Sequence, residues 1–98
     1  MRVHLCVLLW ARPGAVDALT EYEDRVLALL GEHDGRVLHR VRTRADGTSD
    51  DAPTEIQLIE FGSPAGYDAF VADDRRAALA EQRDRAIART EIYPVDVV

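Results

Sequence analysis

Between Thr54 and Tyr67 the chain reads Thr-Glu-Ile-Gln-Leu-Ile-Glu-Phe-Gly-Ser-Pro-Ala-Gly-Tyr, and this stretch leaves few folds open. Its first half alternates, with Ile56, Leu58 and Glu60 on one side and Gln57, Ile59 and Phe61 on the other, the period-two pattern of a strand. Gly62 then breaks the run. Ser63 offers a hydroxyl to the free N–H groups of a helix, and Pro64 takes the first helical position, where its missing N–H is no loss. A strand feeding directly into a helix is expected at the centre of a small sheet.

The rest of the chain falls into place around it. Val3 to Ala11 reads as a first strand with apolar residues on both faces, so both faces need cover. It is too short to span a bilayer, and His4 interrupts it, so it is neither a membrane segment nor a signal peptide. After Arg12-Pro13-Gly14 the spacing turns helical from Ala15 to Gly31. Val16, Leu19, Tyr22 or Glu23, Val26, Leu27 and Leu30 make one stripe, and Gly31 is placed to stop the helix. Asp34-Gly35 turns the chain into a second strand, about Arg36 to Arg44. Strict alternation puts Val37, His39, Val41 and Thr43 on one face and Arg36, Leu38, Arg40, Arg42 and Arg44 on the other.

Ala45 to Pro53 is rich in turn formers and reads as a mobile hairpin loop. Beyond the central strand, a helical region runs from Pro64 to about Arg89, interrupted near Asp73-Asp74. Glu91 to Val98 alternates again, and Pro94 marks it as an edge strand. The order β-α-β-β-α-β predicts one domain over residues 1–98. Its class is α+β: a ferredoxin-like sandwich with a four-stranded antiparallel sheet, the first and third strands central.

Such a two-layer domain leaves one sheet face bare. Four or five large apolar side chains there would exceed the roughly 400 Å² at which an exposed patch becomes a liability. A second copy of the chain is the economical cover, so a homodimer through the open sheet face is expected.

Charge narrows the partners. With 18 acidic and 12 basic side chains the formal net charge is −6, which repels a phosphate backbone and disfavours nucleic acid. Every basic residue is arginine, which is what codon bias in a G+C-rich bacterial genome would be expected to give without any demand for guanidinium. A single cysteine, Cys6, rules out an internal disulfide and points to the cytoplasm. Mid-strand and flanked by apolar residues, it reads as an inert buried thiol.

The run Tyr22…Leu29-Leu30…His33-Asp34-Gly35-Arg36-Val37-Leu38-His39-Arg40, the later Ile59-Glu60-Phe61-Gly62-Ser63-Pro64, then Ala69-Phe70 and Arg83, resembles the uncharacterised domain-of-unknown-function family 1330 of the dimeric α/β-barrel superfamily. Asp34 stands where a second glycine is common, and Phe70 where tryptophan is common. The resemblance brings no known reaction. Relatives across the superfamily include cofactor-less monooxygenases, small isomerases and cyclases, haem-degrading enzymes and non-catalytic members. The features of the haem-degrading members find no counterpart here, so no cofactor is expected.

Four residues stand out as candidates for a ligand pocket between sheet and helices: His39, Tyr67, Phe70 and Arg83. His39 is either a satisfied pocket-wall histidine or a general base, its ordinary pKa of ~6.5 suiting proton transfer. His4 is weighed the same way, and His33, before a turn, reads as solvated. Arg83 lies beside the buried stripe of its helix. It either pairs with Glu60 or Glu55 of the central strand or anchors a carboxylate or enolate of a small substrate. Tyr67, like Trp10, also suits a core or interface. The arginines of the second strand read as a solvated face or as partners for acids across a dimer. No phosphate loop, catalytic triad or metal-ligand spacing is present.

Three readings follow. One is a cofactor-independent monooxygenase-, isomerase- or cyclase-like enzyme acting on a small aromatic or polyketide-like molecule. Another is a binding or stress-related module that holds a small anionic or aromatic ligand without chemistry. The last is a purely structural dimer, which would leave no cavity.

Overall fold

The computed structural model describes residues 1–44, 46 and 50–98. Along the chain come β1 (Val3–Ala11), α1 (Val16–Leu27), a 3-10 turn (Leu30–His33), β2 (Gly35–Arg42), β3 (Glu55–Phe61), α2 (Pro64–Val71), α3 (Asp74–Ala77), α4 (Ala80–Ala86) and β4 (Ile87–Pro94). Among the described residues the strands form one antiparallel sheet in the order β2-β3-β1-β4. This is the expected ferredoxin-like arrangement. β1 and β3 are central, and the strand carrying Pro94 is an edge. The loop expected to be mobile, Ala45 to Pro53, includes Ala45, Gly47, Thr48 and Ser49, which lie outside the described residues.

The local signals act as their chemistry dictates. Ser63 Oγ accepts from Gly66 N at 3.1 Å and caps α2, with Pro64 in its first turn. The second helical region breaks at Asp73, whose carboxylate accepts from Arg75 N at 2.8 Å and starts α3. Gly35 opens β2 where a Cβ would stand 2.8 Å from Phe61 Cε1. Only a residue without a side chain lets β2 pass over that ring.

Several boundaries differ from the sequence reading. α1 ends at Leu27, and Gly31 is not its stop; the chain tightens into the 3-10 turn, which brings Leu30 into the core at 2% exposure. The left-handed residue that ends this turn is Asp34, at φ 58°, a conformation aspartate tolerates better than most side chains. At the other end of the chain, β4 starts at Ile87 rather than Glu91. Arg12 N donates to Ala86 O at 2.9 Å, and the buried Ile87 pairs with Ala11. The sheet therefore captures the chain before the helical pattern runs out.

The largest correction lies in β2. Val37 pairs with Ile59, but His39 pairs with Leu58, so Leu38 is an extra residue on the bulged strand. A bulge of one residue moves every later side chain to the opposite face. Beyond it, Arg40 and Arg42 point to the helix side, opposite Gln57 and Glu55, while His39 and Val41 turn to the open side. The expectation that His39 shares a face with Val37 is thereby overturned. The arginines of this strand do not form one basic face either.

The two faces of the sheet are then distinct. Leu5, Val7, Leu9, Ile59 and Phe61 pack beneath Leu19, Tyr22 and Val26 of α1 and Ala86 of α4, forming the core. The open face carries His4, Cys6, Leu8 and Trp10 of β1, with Ile56, Leu58 and Glu60 of β3 beside them. Val41 and Tyr93 flank this strip at the two edges and are 52% and 50% exposed.

Candidate functional site

Between the helices and the covered sheet face lies a cavity of about 110 Å³. Most of its wall is apolar: Leu5, Val7 and Leu9 of β1, Ile59 and Phe61 of β3, Val26 of α1 and Ile87 of β4. Tyr67, Phe70 and Val71 of α2 add to it. Phe61 sets the aromatic part in place, with its ring centroid 5.4 Å from that of Tyr67 and 5.6 Å from that of Phe70. A cavity of about 150 Å³ takes a benzene ring, so this one, which is open on one side, receives part of a small ligand and leaves the rest in its mouth.

The polar groups on this wall are few and specific: Tyr22, Glu23, Gln57, Arg76, Arg83 and Thr90. Glu23 falls on the buried stripe of α1, four residues after Leu19, and is only 5% exposed. Gln57 faces it from the centre of β3, and its Nε2 donates to Glu23 Oε1 at 2.7 Å and to Glu55 Oε2 at 2.7 Å. Glu55 also accepts from Arg40 Nε and from Arg42 Nη2, each at 2.7 Å. Arg40 reaches on to Asp24 of α1 at 2.6 Å. The bulge at Leu38 makes this possible, because it delivers both guanidinium groups to the helix side of the sheet.

Environment separates the two carboxyls. Burial pushes the Glu23 carboxyl up, the Gln57 hydrogen bond opposes this, and the neighbouring Glu55 charge adds to the rise. Burial acts on Glu55 in the same direction, but hydrogen bonds from Arg40, Arg42 and Gln57 prevail and hold it below the usual carboxylate range. Neighbouring titratable groups whose environments drive their protonation apart recur where proton transfer occurs, and also in structural ion-pair networks. Burial, with Glu23 next, also pushes up the Tyr22 hydroxyl.

Of the residues singled out in the sequence, Tyr67, Phe70 and Arg83 line this cavity and His39 does not. His39 is exposed on the other face of the sheet. Arg83 does not reach Glu55 or Glu60, since the arginines of β2 occupy the one and the open face holds the other. It makes instead a 3.4 Å hydrogen bond to Thr90 Oγ1 and a 3.7 Å contact with Asp84, with 42% of its side chain exposed. His4 Nε2 lies 2.9 Å from the Glu60 carboxylate, which accepts from it on the open face, and Arg36 Nε donates to the same carboxylate at 3.2 Å. His33 is not solvated: it lies 2.7 Å from Asp73, with 16% side-chain exposure. Trp10 stacks beneath the Arg89 guanidinium at 4.2 Å on the open side. Cys6 is only half-buried there. Glu23 and Gln57 also lie on the cavity wall and were not singled out. Their one signal is a polar residue at an apolar position of each pattern.

No protein-family model matches the sequence, and no curated protein resembles it significantly. Solved structures do. A protein of unknown function, RPA0582 from Rhodopseudomonas palustris, superposes with a TM-score of 0.80 at 16% identity, over 99% of this chain and 82% of that one. A dimeric protein of unknown function and ferredoxin-like fold from Bacteroides fragilis gives 0.73 at 11% identity, covering 98% and 96%. A NIPSNAP family protein of unknown function from Agrobacterium tumefaciens gives 0.71 at 17%, covering 96% and 86%. The likeness extends over nearly the whole chain and is one of fold. No helix among the described residues is long and apolar enough to cross a membrane.

Proposed function

We propose that this chain is a homodimeric, cytoplasmic small-molecule enzyme of the dimeric α/β-barrel type, akin to family 1330. It takes a small aromatic or polyketide-like acid into the cavity between sheet and helices and acts on it without a cofactor, in the manner of an isomerase or cyclase. The apolar body of the ligand lies against Phe61, Tyr67 and Phe70, and its anionic group meets Arg83. One observation carries this reading: an apolar cavity has on its wall a guanidinium whose own contacts, at 3.4 and 3.7 Å, are at the long limit. A cation held only by such contacts loses little by turning to a carboxylate. The second copy covers the strip of Cys6, Leu8, Ile56 and Leu58; that a fold neighbour is dimeric supports a homodimer.

Arg83→Ala tests the pocket. Its exposed contacts contribute at most about 1 kcal/mol, so the variant should melt within a few degrees of the parent. The stabilisation given by small carboxylates such as benzoate should disappear. A large melting loss with an unchanged response to benzoate would show Arg83 to be architectural.

A further inference from the structure

We infer that Glu23 is the acid–base group of this cavity: it takes a proton from a carbon next to the carbonyl of a small keto acid and returns it, with Gln57 as the residue that positions it. This rests on the reading of the cavity as a site for a small acid. Glu23 is the carboxyl on the cavity wall, and its Oε1 is committed to Gln57 at 2.7 Å. Its Oε2 has no hydrogen-bond partner among the described residues and is not fully buried. An oxygen that is neither bonded within the protein nor fully buried is free to meet water or a ligand. Here one oxygen is anchored and the other is left to the cavity.

The anchor is itself fixed. Both N–H bonds of Gln57 are used, one by each carboxyl, and the Glu55 end is tied to Arg40 and Arg42. The amide therefore cannot rotate without losing a buried bond. Glu23 in turn faces Gln57, and Glu55, Arg40 and Arg83 are the charges that act on it.

The step balances without a co-reactant. Ionised Glu23 removes the proton, the C–H electron pair becomes the C=C bond of an enolate, and the carbonyl π pair moves onto oxygen. With Arg83 on the carboxylate, Tyr22, on the same wall, is the donor available to that oxygen. The protonated Glu23 then returns the proton to the same carbon, giving exchange, or to the far end of a conjugated system, giving isomerisation.

Levulinate (4-oxopentanoate) in D₂O is the probe, with binding followed by its thermal shift and exchange at its methylene next to the ketone by proton NMR. The parent should bind and catalyse exchange. Glu23→Gln should still bind, with exchange slowed about 100-fold or more, the range expected for losing a general base. Gln57→Leu should lower the maximal exchange rate and leave the levulinate concentration at half-maximal rate nearly unchanged. If Glu23→Gln does not fold by circular dichroism, Glu23→Asp decides, with exchange expected to fall at least 10-fold while binding holds. Exchange that is absent in the binding-competent parent, or unchanged in the Glu23 variants, overturns the assignment and leaves the pocket standing. Failure of the parent to bind levulinate overturns the pocket reading as well.

Discussion

The amide of Gln57 stands 2.7 Å from the carboxyl of Glu23 and links it to a second acid, Glu55, at the same distance. One carboxyl is pushed up and the other held down, so the pair has opposite effects on stability as pH changes. The folded chain holds the Glu23 proton more tightly than the unfolded chain, whose value is the ordinary 4.5. The stability this contributes is complete below that value and is lost as pH rises through the folded one. Glu55 contributes in the reverse sense, above 4.5 and lost as pH falls through its depressed value.

Glu23→Gln removes the first effect alone. The melting temperature of the variant relative to the parent should therefore climb as pH is raised from 4.5 towards 8. A difference that stays constant across this range would mean that Glu23 titrates like a solvated carboxyl.

Removing Glu55 should be costly. Its side chain is 1% exposed, while Arg40 and Arg42 are 28% and 38% exposed. The pairs lie between the surface limit, about 0.2–1 kcal/mol, and the fully buried limit, about 3–5 kcal/mol. Glu55→Ala should lower unfolding free energy in urea by about 2–3 kcal/mol, and the double variant with Arg40→Ala should recover part of it. A double-variant loss equal to the sum of the two single-variant losses would exclude a coupled pair.

The fold was legible because its signals are local. Alternation through Ile56 to Phe61, the break at Gly62, the Ser63 cap and Pro64 depend on neighbours in sequence, and each acts as read. The bulge was not legible. Arg36-Val37-Leu38-His39-Arg40-Val41-Arg42 alternates tolerably in either phase, and only pairing with β3 selects the one that delivers Arg40 and Arg42 to Glu55. The same bulge removes His39 from the cavity. Tyr67, Phe70 and Arg83 lay within reach of sequence reasoning, since helical spacing puts each on the inner side of its helix. Glu23 was visible as a charge within an apolar stripe, but its partner Gln57 lies 34 residues away, and no periodicity connects them.

The open sheet face gives a prediction of assembly. Leu58 pairs with Cys6 on one side and His39 on the other, at the middle of the uncovered strip. The parent should sediment near twice 10.9 kDa at micromolar concentration, and Leu58→Asp should sediment as a monomer. A parent that is monomeric under these conditions would rule out the barrel.

The most direct test of the central claim, that the cavity holds a small acid, is a methyl-resolved carbon–proton NMR titration with levulinate. Shifts should concentrate at Val7, Leu9, Val26, Ile59 and Ile87, whose side chains line the cavity. Leu8, Ile56 and Leu58, on the opposite face of the same strands, should stay still. Movement confined to the second group, or no saturable movement in the first, would contradict the account.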